Sequence, residues 1–592
     1  MGKKSASRLA IPSRQTAWLL AGCGLAALAS ITLRALIPPL ALELRQDDGL
    51  AVAIANSLER GEWLGRFDNR TLAKGPGYPF FLDVTHAVGL PPTVGTQLVY
   101  LAGSAILAFG LWLWIRSAPP SAALFIVLAL NPAMFGAGGS RVYREGFTAA
   151  LSIVILGLSV LIAFLCAHRT RNPKWISAFV VLVIVAGLAA AWLLITRFDS
   201  VWVIVSAGSF ALAAVFLGAA TWRERGSRAL ALLAAVAPIV IITLGVQQAI
   251  IHKNGQTYGV ALIDDYSAGP FAEASDAWAS VEAGRPRPGV PITQAQRLAV
   301  YRISPTAKLL EPYLETPPAT IKEQTWKGEN CRQGSVCDEA GPWFPWMLRD
   351  AVIRTGTVHT PAQFEAFFVT INQDIGRACA TNTLTCGEHG VAPGLPPLNQ
   401  IDRSKVLVDF AAVMKEHLFF VTADPPSGFN LPLLEPDIRL FESTIDGLDF
   451  QTTAPRLQIG TRRMAPVVDG LKGAYTIAAN VLLVAALIGL LFGIFTRGTV
   501  RAASALGVAA LLGVLVHSAI LAVLYSINDN WQYGSIFSYT LESEPFLLVA
   551  LCIGCWSCWL LVRRIVRGRH AHRVESRDLL DANEPELPTV PG

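Results

Sequence analysis

Residues 147–166 read FTAALSIVILGLSVLIAFLC, an unbroken run without one charged side chain. A helix of roughly 20 apolar residues spans the hydrocarbon of a bilayer, because it satisfies its own backbone hydrogen bonds where no water is at hand. Comparable runs lie near 16–42, 93–115, 121–137, 175–196, 200–219, 229–250, 471–495, 502–526 and 545–562, which predicts about ten crossings. The composition agrees: of 592 residues 53% are apolar and 15% charged, and the mean hydropathy is +0.45. That balance excludes an ordinary soluble protein.

Basic residues orient the spans. Arg116, then Arg169, Arg171 and Lys174, then Arg223, Arg225 and Arg228, and then Arg497 and Arg501 all fall in turns on one side, with Arg563, Arg564, Arg567 and Arg569. Lys3, Lys4, Arg8 and Arg14 precede the first run. Short loops rich in Lys and Arg stay in the cytoplasm, so both termini are expected there. The first run continues through Arg34 to Leu42 without a clear small-x-small site and reads as an uncleaved span. The net charge of +5 is scattered through these turns, which leaves no face for nucleic acid.

The resulting map has a transmembrane module over 1–250 with a first outer loop at 43–92. A mixed, mostly helical extracytoplasmic domain follows over 251–470, then transmembrane helices over 471–565 and a disordered cytoplasmic tail over 566–592. FAEASDAWASVEAG and PITQAQRLAVYRI predict helices within the outer domain. Cys331 with Cys337 and Cys379 with Cys386 suit two local disulfides of an oxidising compartment, with zinc as the competing reading of the same four thiols. Cys23, Cys166, Cys552, Cys555 and Cys558 lie in apolar runs and read as small buried hydrophobes.

The first outer loop carries the most chemistry. Asp47 and Asp48 precede a short amphipathic helix whose Leu50, Ile54 and Leu58 are expected to face the bilayer surface and which Gly61 ends. Lys74-Gly75-Pro76-Gly77-Tyr78-Pro79 then introduces a second segment, Tyr78 to Leu90, too short to span. The plainer role of an acidic pair, capping a helix and complementing its dipole, needs only one of the two carboxylates and leaves the rest of the loop unexplained.

An acidic pair just outside the first span, two interfacial helices and a Lys-Gly-Pro-Gly turn before the second span resemble the N-terminal module of GT-C glycosyltransferases. The likeness is to bacterial relatives of protein O-mannosyltransferases and of the lipid A aminoarabinose transferase, over roughly residues 16–250. Those relatives carry Lys-Pro-Pro where this chain has Lys74 to Gly77, so Gly75 and Gly77 are departures. The resemblance implies an all-α polytopic bundle in a bacterial inner membrane that transfers a sugar, with inversion, from a polyprenyl phosphate to a hydroxyl of a glycan, lipid or protein.

Such a transfer needs a base at the acceptor hydroxyl and cations at the leaving phosphate. The resemblance implies Asp47 or Asp48 as the base and places Glu145 as a second acidic residue. Lys74, Tyr78, Arg141, Arg144, Arg197 and Asp199 are the expected substrate and phosphate contacts, the guanidinium fork being matched to phosphate oxygens. An Arg-Glu pair at the membrane surface and an interfacial anchor are the plainer readings of Arg141 to Glu145 and of Arg197. No cofactor is required on this reading, although Asp47, Asp48 and Glu145 offer the hard oxygens that Mg²⁺ or Mn²⁺ accepts. Tyr539, Glu542 and Glu544 suit a lipid groove or, equally, an ordinary interfacial belt, and His517 reads as a satisfied interior histidine.

Two other functions compete. A transporter or flippase of envelope lipid or polysaccharide would distribute polar residues through the middle of several spans, which are here almost uninterruptedly apolar. A membrane scaffold with a binding domain would have no use for the acidic pair.

Overall fold

The computed structural model describes residues 14–41, 47–168, 173–217, 221–285, 290, 292–315, 344–387, 401–424, 435–448, 450–527 and 539–581. Among them there is no β-strand, only isolated bridges between Leu40 and Arg141 and between Val281 and Cys386. The chain is an all-α polytopic membrane bundle. Nine of the described helices are long and apolar enough to cross a bilayer: Gln15–Leu36, Pro92–Ile115, Arg144–Ala167, Pro173–Thr196, Phe198–Phe216, Trp222–Tyr258, Arg463–Gly493, Thr499–Ile527 and Glu544–Val566.

In chain order the helices used below are α1 (Arg14–Leu36), α2 (Asp48–Glu59), α3 (Gly77–Ala87), α4 (Pro92–Ile115), α5 (Ala118–Ala129), α6 (Arg144–Ala167), α7 (Pro173–Thr196), α8 (Val201–Phe216) and α9 (Trp222–Tyr258). They continue with α10 (Pro270–Ala279), α11 (Gln294–Ile303), α12 (Phe344–Arg354), α13 (Pro361–Ala380), α14 (Arg403–Phe419), α15 (Glu435–Thr444), α16 (Phe450–Gly493), α17 (Thr499–Ile527) and α18 (Glu544–Asp581).

The run expected as a span over 121–137 folds differently. It forms the short helix α5 and a 3-10 turn over Pro132–Met134, started by Asn131, whose side chain accepts from the Ala133 amide. Pro132 lacks the amide that would continue α5. The segment still returns the chain along the bundle, because α4 and α6 pack side by side in the same direction. Gly103 meets Ile153 and Val154, Gly157 meets Ile106 and Leu107, and Gly110 meets Val160 and Leu161. Glycines let helix backbones approach where lipid gives no hydrophobic drive to associate.

The loop between α1 and α4 folds as α2 and α3, with Gly61 in the left-handed region just after α2. Its apolar face has a different partner from the one expected. Leu50 and Ile54 are buried, and Leu58 packs beside them, in a core shared with Val260, Phe271, Trp278, Phe364 and Phe368. Protein covers this face, not the bilayer surface, because α10, α12 and α13 supply more apolar partners than a solitary amphipathic helix would have.

Parts of the 251–470 stretch pack on different neighbours. Tyr258, Phe271, Val300, Leu348 and Ile375 share the core just described, whereas Phe420, Ala423, Phe441, Ile445 and Leu448 join the core of the spans. The two helices expected within this stretch are α10 and α11, and Thr293 with Gln296 closes a capping box on the second.

Candidate functional site

Backbone pairing delivers Arg141 to the acidic pair. The Leu40 amide donates to the Ser140 carbonyl at 2.8 Å and the Val142 amide to the Leu40 carbonyl at 2.9 Å, which ties the chain after α1 to the chain before α6. Arg141 Nε then donates to Asp48 Oδ1 at 2.8 Å, and its Nη2 lies 2.6 Å from the same oxygen and 3.4 Å from Asp47 Oδ2. Asp48 is fully buried in this pair.

Asp47 differs from its neighbour. It occupies the position just before α2, yet its side chain makes no capping bond to that helix, so the capping role weighed for the pair does not describe it. Its Oδ1 accepts from Lys74 Nζ and, at 3.0 Å, from the Tyr143 hydroxyl, while Lys74 also donates to that hydroxyl at 2.8 Å. Burial would raise the Asp47 carboxyl, but Lys74 and Arg141 outweigh it and hold it well below the ordinary carboxylate range.

Lys74 is placed by backbone contact. A Cβ on Gly75 would overlap the Ile195 carbonyl, and one on Gly77 would overlap Thr196, so the turn lies against the end of α7 at a distance only glycine permits. The Trp192 indole donates to the Gly77 carbonyl at 2.7 Å from the same helix. The departure from Lys-Pro-Pro thus has a packing reason.

A cavity opens beside this group, lined by Asp47, Lys74, Tyr143, Arg144 and Thr196 on its polar side and by Leu50, Ala51, Ile54, Tyr78 and Pro79 on its apolar side. Tyr78 stacks on Phe81 with ring centroids 6.1 Å apart, and Arg144 donates to the Thr196 carbonyl at 3.4 Å.

Arg197, Asp199 and Glu145 form a second group next to the first. Arg197 donates to Asp199 at 2.7 and 3.0 Å, pairs with Glu542, and lies 3.8 Å from Glu145. Thr148 donates to Glu542 at 2.8 Å. Behind Glu542, His517 stacks on Trp202 at 4.6 Å and shares a 2.6 Å hydrogen bond with Ser543, which lies 3.3 Å from His417. Glu542 therefore belongs to this closed network and not to a lipid-exposed groove, and His517 is an interior histidine as expected. Arg34 is buried too and donates to the Met134 and Ile37 carbonyls at 3.0 and 2.9 Å.

Sequence reasoning passed over Tyr143 and Thr148. Tyr143 stood in plain view between Arg141 and Arg144, but a hydroxyl that bridges a lysine and a carboxylate has no spacing signature. No group of three His, Cys, Asp or Glu side chains suited to a metal comes together among the described residues. Asp47 and Asp48 face Lys74 and Arg141, and Glu145 lies 3.8 Å from Arg197. Cys379 and Cys386 form a disulfide; Cys331 and Cys337 lie outside the described residues.

No protein-family model matches the sequence, and no curated protein matches it. Solved structures do. ArnT from Cupriavidus metallidurans in the apo state aligns at 13% identity and a TM-score of 0.32, over 87% of this chain and 78% of that one. The same protein bound to undecaprenyl phosphate aligns at 12% identity and a TM-score of 0.30 over the same shares. The Archaeoglobus fulgidus oligosaccharyltransferase tethered with an acceptor peptide aligns at 13% identity and a TM-score of 0.35, over 90% of this chain but 49% of that one. The chain thus spans about half the length of that oligosaccharyltransferase.

Proposed function

We propose that this protein is a membrane glycosyltransferase that moves a sugar from a polyprenyl-phosphate donor to a hydroxyl acceptor on the outer side of a bacterial cytoplasmic membrane. The observation that carries the reading is a single cavity in which the Asp47 carboxylate, the Lys74 and Arg144 cations and an apolar wall meet. A lipid phosphate ester needs that combination and few other ligands do. The resemblance of the first outer loop to GT-C enzymes points the same way.

In the reaction, the acceptor oxygen attacks the anomeric carbon as the bond from that carbon to the phosphate oxygen breaks. Lys74 and Arg144 take the charge that develops on the leaving phosphate. Asp47 takes the acceptor proton. With Lys74 and Tyr143 on its Oδ1 the carboxylate is a weak base, and a phosphate that draws Lys74 toward itself restores its basicity. Asp48 holds Arg141 in place, and Arg197 with Glu145 and Glu542 supports the neighbouring wall. Glycan, lipid and protein hydroxyls all satisfy this chemistry, and no step runs through a metal.

Undecaprenyl phosphate, the lipid bound in the Cupriavidus structure, is a suitable probe. The full chain in nanodiscs is expected to bind it, Lys74→Met to weaken that binding, and Asp47→Asn to keep it while losing turnover of a sugar-charged lipid. Binding that is unaffected by Lys74→Met, or turnover that persists in Asp47→Asn, would end the proposal.

A further inference from the structure

Behind Lys74, outside the lining of the cavity described above, α12 brings up a buried tryptophan. Trp346 of α12 lies with its ring centre 5.8 Å from Lys74 Nζ, and Tyr266 packs its ring 5.1 Å from that of Trp346. One arginine sets both. Arg349, a turn beyond Trp346, donates to the Asn69 and Thr71 carbonyls at 2.6 and 2.7 Å, just ahead of Lys74. Its third bond, at 2.6 Å, goes to Asp265, the residue before Tyr266, whose own amide donates to the Leu72 carbonyl at 2.9 Å. The two rings are therefore fixed relative to Lys74 by four hydrogen bonds.

This wall carries an unspent polar group. The Tyr266 hydroxyl is buried and has no hydrogen-bond partner among the described residues, although the ring itself is only half-buried. A buried hydroxyl without a partner costs free energy that an apolar ring of the same shape would not. Its neighbours explain no part of that cost: Trp346 and Phe271 meet it as rings, and Arg349 is committed to Asp265 and two carbonyls.

We propose that Tyr266 and Trp346 form a saccharide subsite beside Lys74, the rings stacking on the apolar face of a sugar and the Tyr266 hydroxyl bonding one of its hydroxyls. The inference rests on the transferase reading and adds to it the part of the chain that chooses the sugar. An aromatic face is suited to a pyranose or furanose ring, whose axial C–H groups are apolar while its rim hydrogen-bonds. The ring can belong to the donor or to the acceptor, since both meet at the breaking bond.

The test measures affinity of the full chain in nanodiscs for undecaprenyl phosphate and for its mannosyl, galactosyl, glucosyl and arabinosyl esters, with methyl glycosides as competitors. The wild type is expected to bind one ester about tenfold tighter than the bare phosphate. Tyr266→Phe removes only the unpartnered hydroxyl, so its melting temperature should hold while that preference falls to within about twofold and bare-phosphate affinity stays unchanged. Trp346→Phe is the second variant, with the same expected direction. Loss of the ester preference assigns the ring to the donor; loss of methyl glycoside competition with the preference intact assigns it to the acceptor. If neither variant moves either quantity, or if the wild type prefers no ester and no methyl glycoside competes, the subsite does not exist. Failure of the wild type to bind bare undecaprenyl phosphate would instead remove the transferase reading and this inference with it.

Discussion

Two buried ionic centres meet the loop between α1 and α4, and their charge balance is opposite. Around Asp47 stand the cations Lys74, Arg141 and Arg144, so its carboxyl is held well below the ordinary range in spite of burial. Around Arg349 stand too many carboxylates. Burial and the surrounding charges push Asp265 up to about 6 despite its bond to Arg349, and burial with the neighbouring Asp265 pushes Glu365 up to about 8. Surplus cation at one centre suits an arriving anion. At the other, Arg349 ties its helix to the loop through Asn69 and Thr71 while the surplus carboxylates are pushed toward protonation, which teaches that burial alone assigns no role to a charged side chain.

The sharpest break of this comparison is chemical. Asp47→Asn should lower transfer by about 10²- to 10⁴-fold, the range of a lost general base, read as turnover of a sugar-charged lipid. Arg349→Met should act on stability instead, costing about 3–5 kcal/mol because it strands Asp265 and two carbonyls. Calorimetry or a thermal melt of the reconstituted protein reads that loss, and an unchanged melt would show that the junction carries little stability.

A smaller effect is expected at the turn that aims Lys74. Gly75→Ala places a methyl group against the Ile195 carbonyl, an overpacking worth about 1–3 kcal/mol, and affinity for undecaprenyl phosphate should fall with stability. Affinity that survives the substitution would show that Lys74 finds phosphate from a displaced turn.

The smallest effect is on pH dependence, where the two centres should differ in sign. The folded pKa of Asp47 is depressed, so its contribution is present above about pH 4 and is lost as pH falls through the folded value. Asp265 and Glu365 are raised, so their contribution is complete below about pH 4 and is lost as pH rises toward 6 and 8. Glu365→Gln should flatten the decline in melting temperature between pH 5 and 8; an unaltered slope would place the titrating group elsewhere.

Much of this was legible from residue pattern. Apolar length and the absence of charge are properties of single segments, so nine spans and both loop helices follow from them. What depended on partners distant in sequence did not. Leu50 and Ile54 looked like membrane-facing residues because nothing local reveals that Phe271 and Phe364 would cover them. Asp47 and Asp48 were indistinguishable as neighbours in a string; Arg141, more than ninety positions away, separates the locked carboxylate from the one that lines the cavity. Glu542 suited a lipid groove or an interfacial belt equally from its place before a span, and it is clasped by Arg197 and Thr148.

The brevity of α5 has a further consequence for the lipid. With its 3-10 turn the apolar stretch Ala118–Met134 rises about 25 Å, a few ångströms short of a hydrocarbon thickness of about 30 Å. A span of that length is matched by slight local thinning of the leaflets, at a modest cost per ångström.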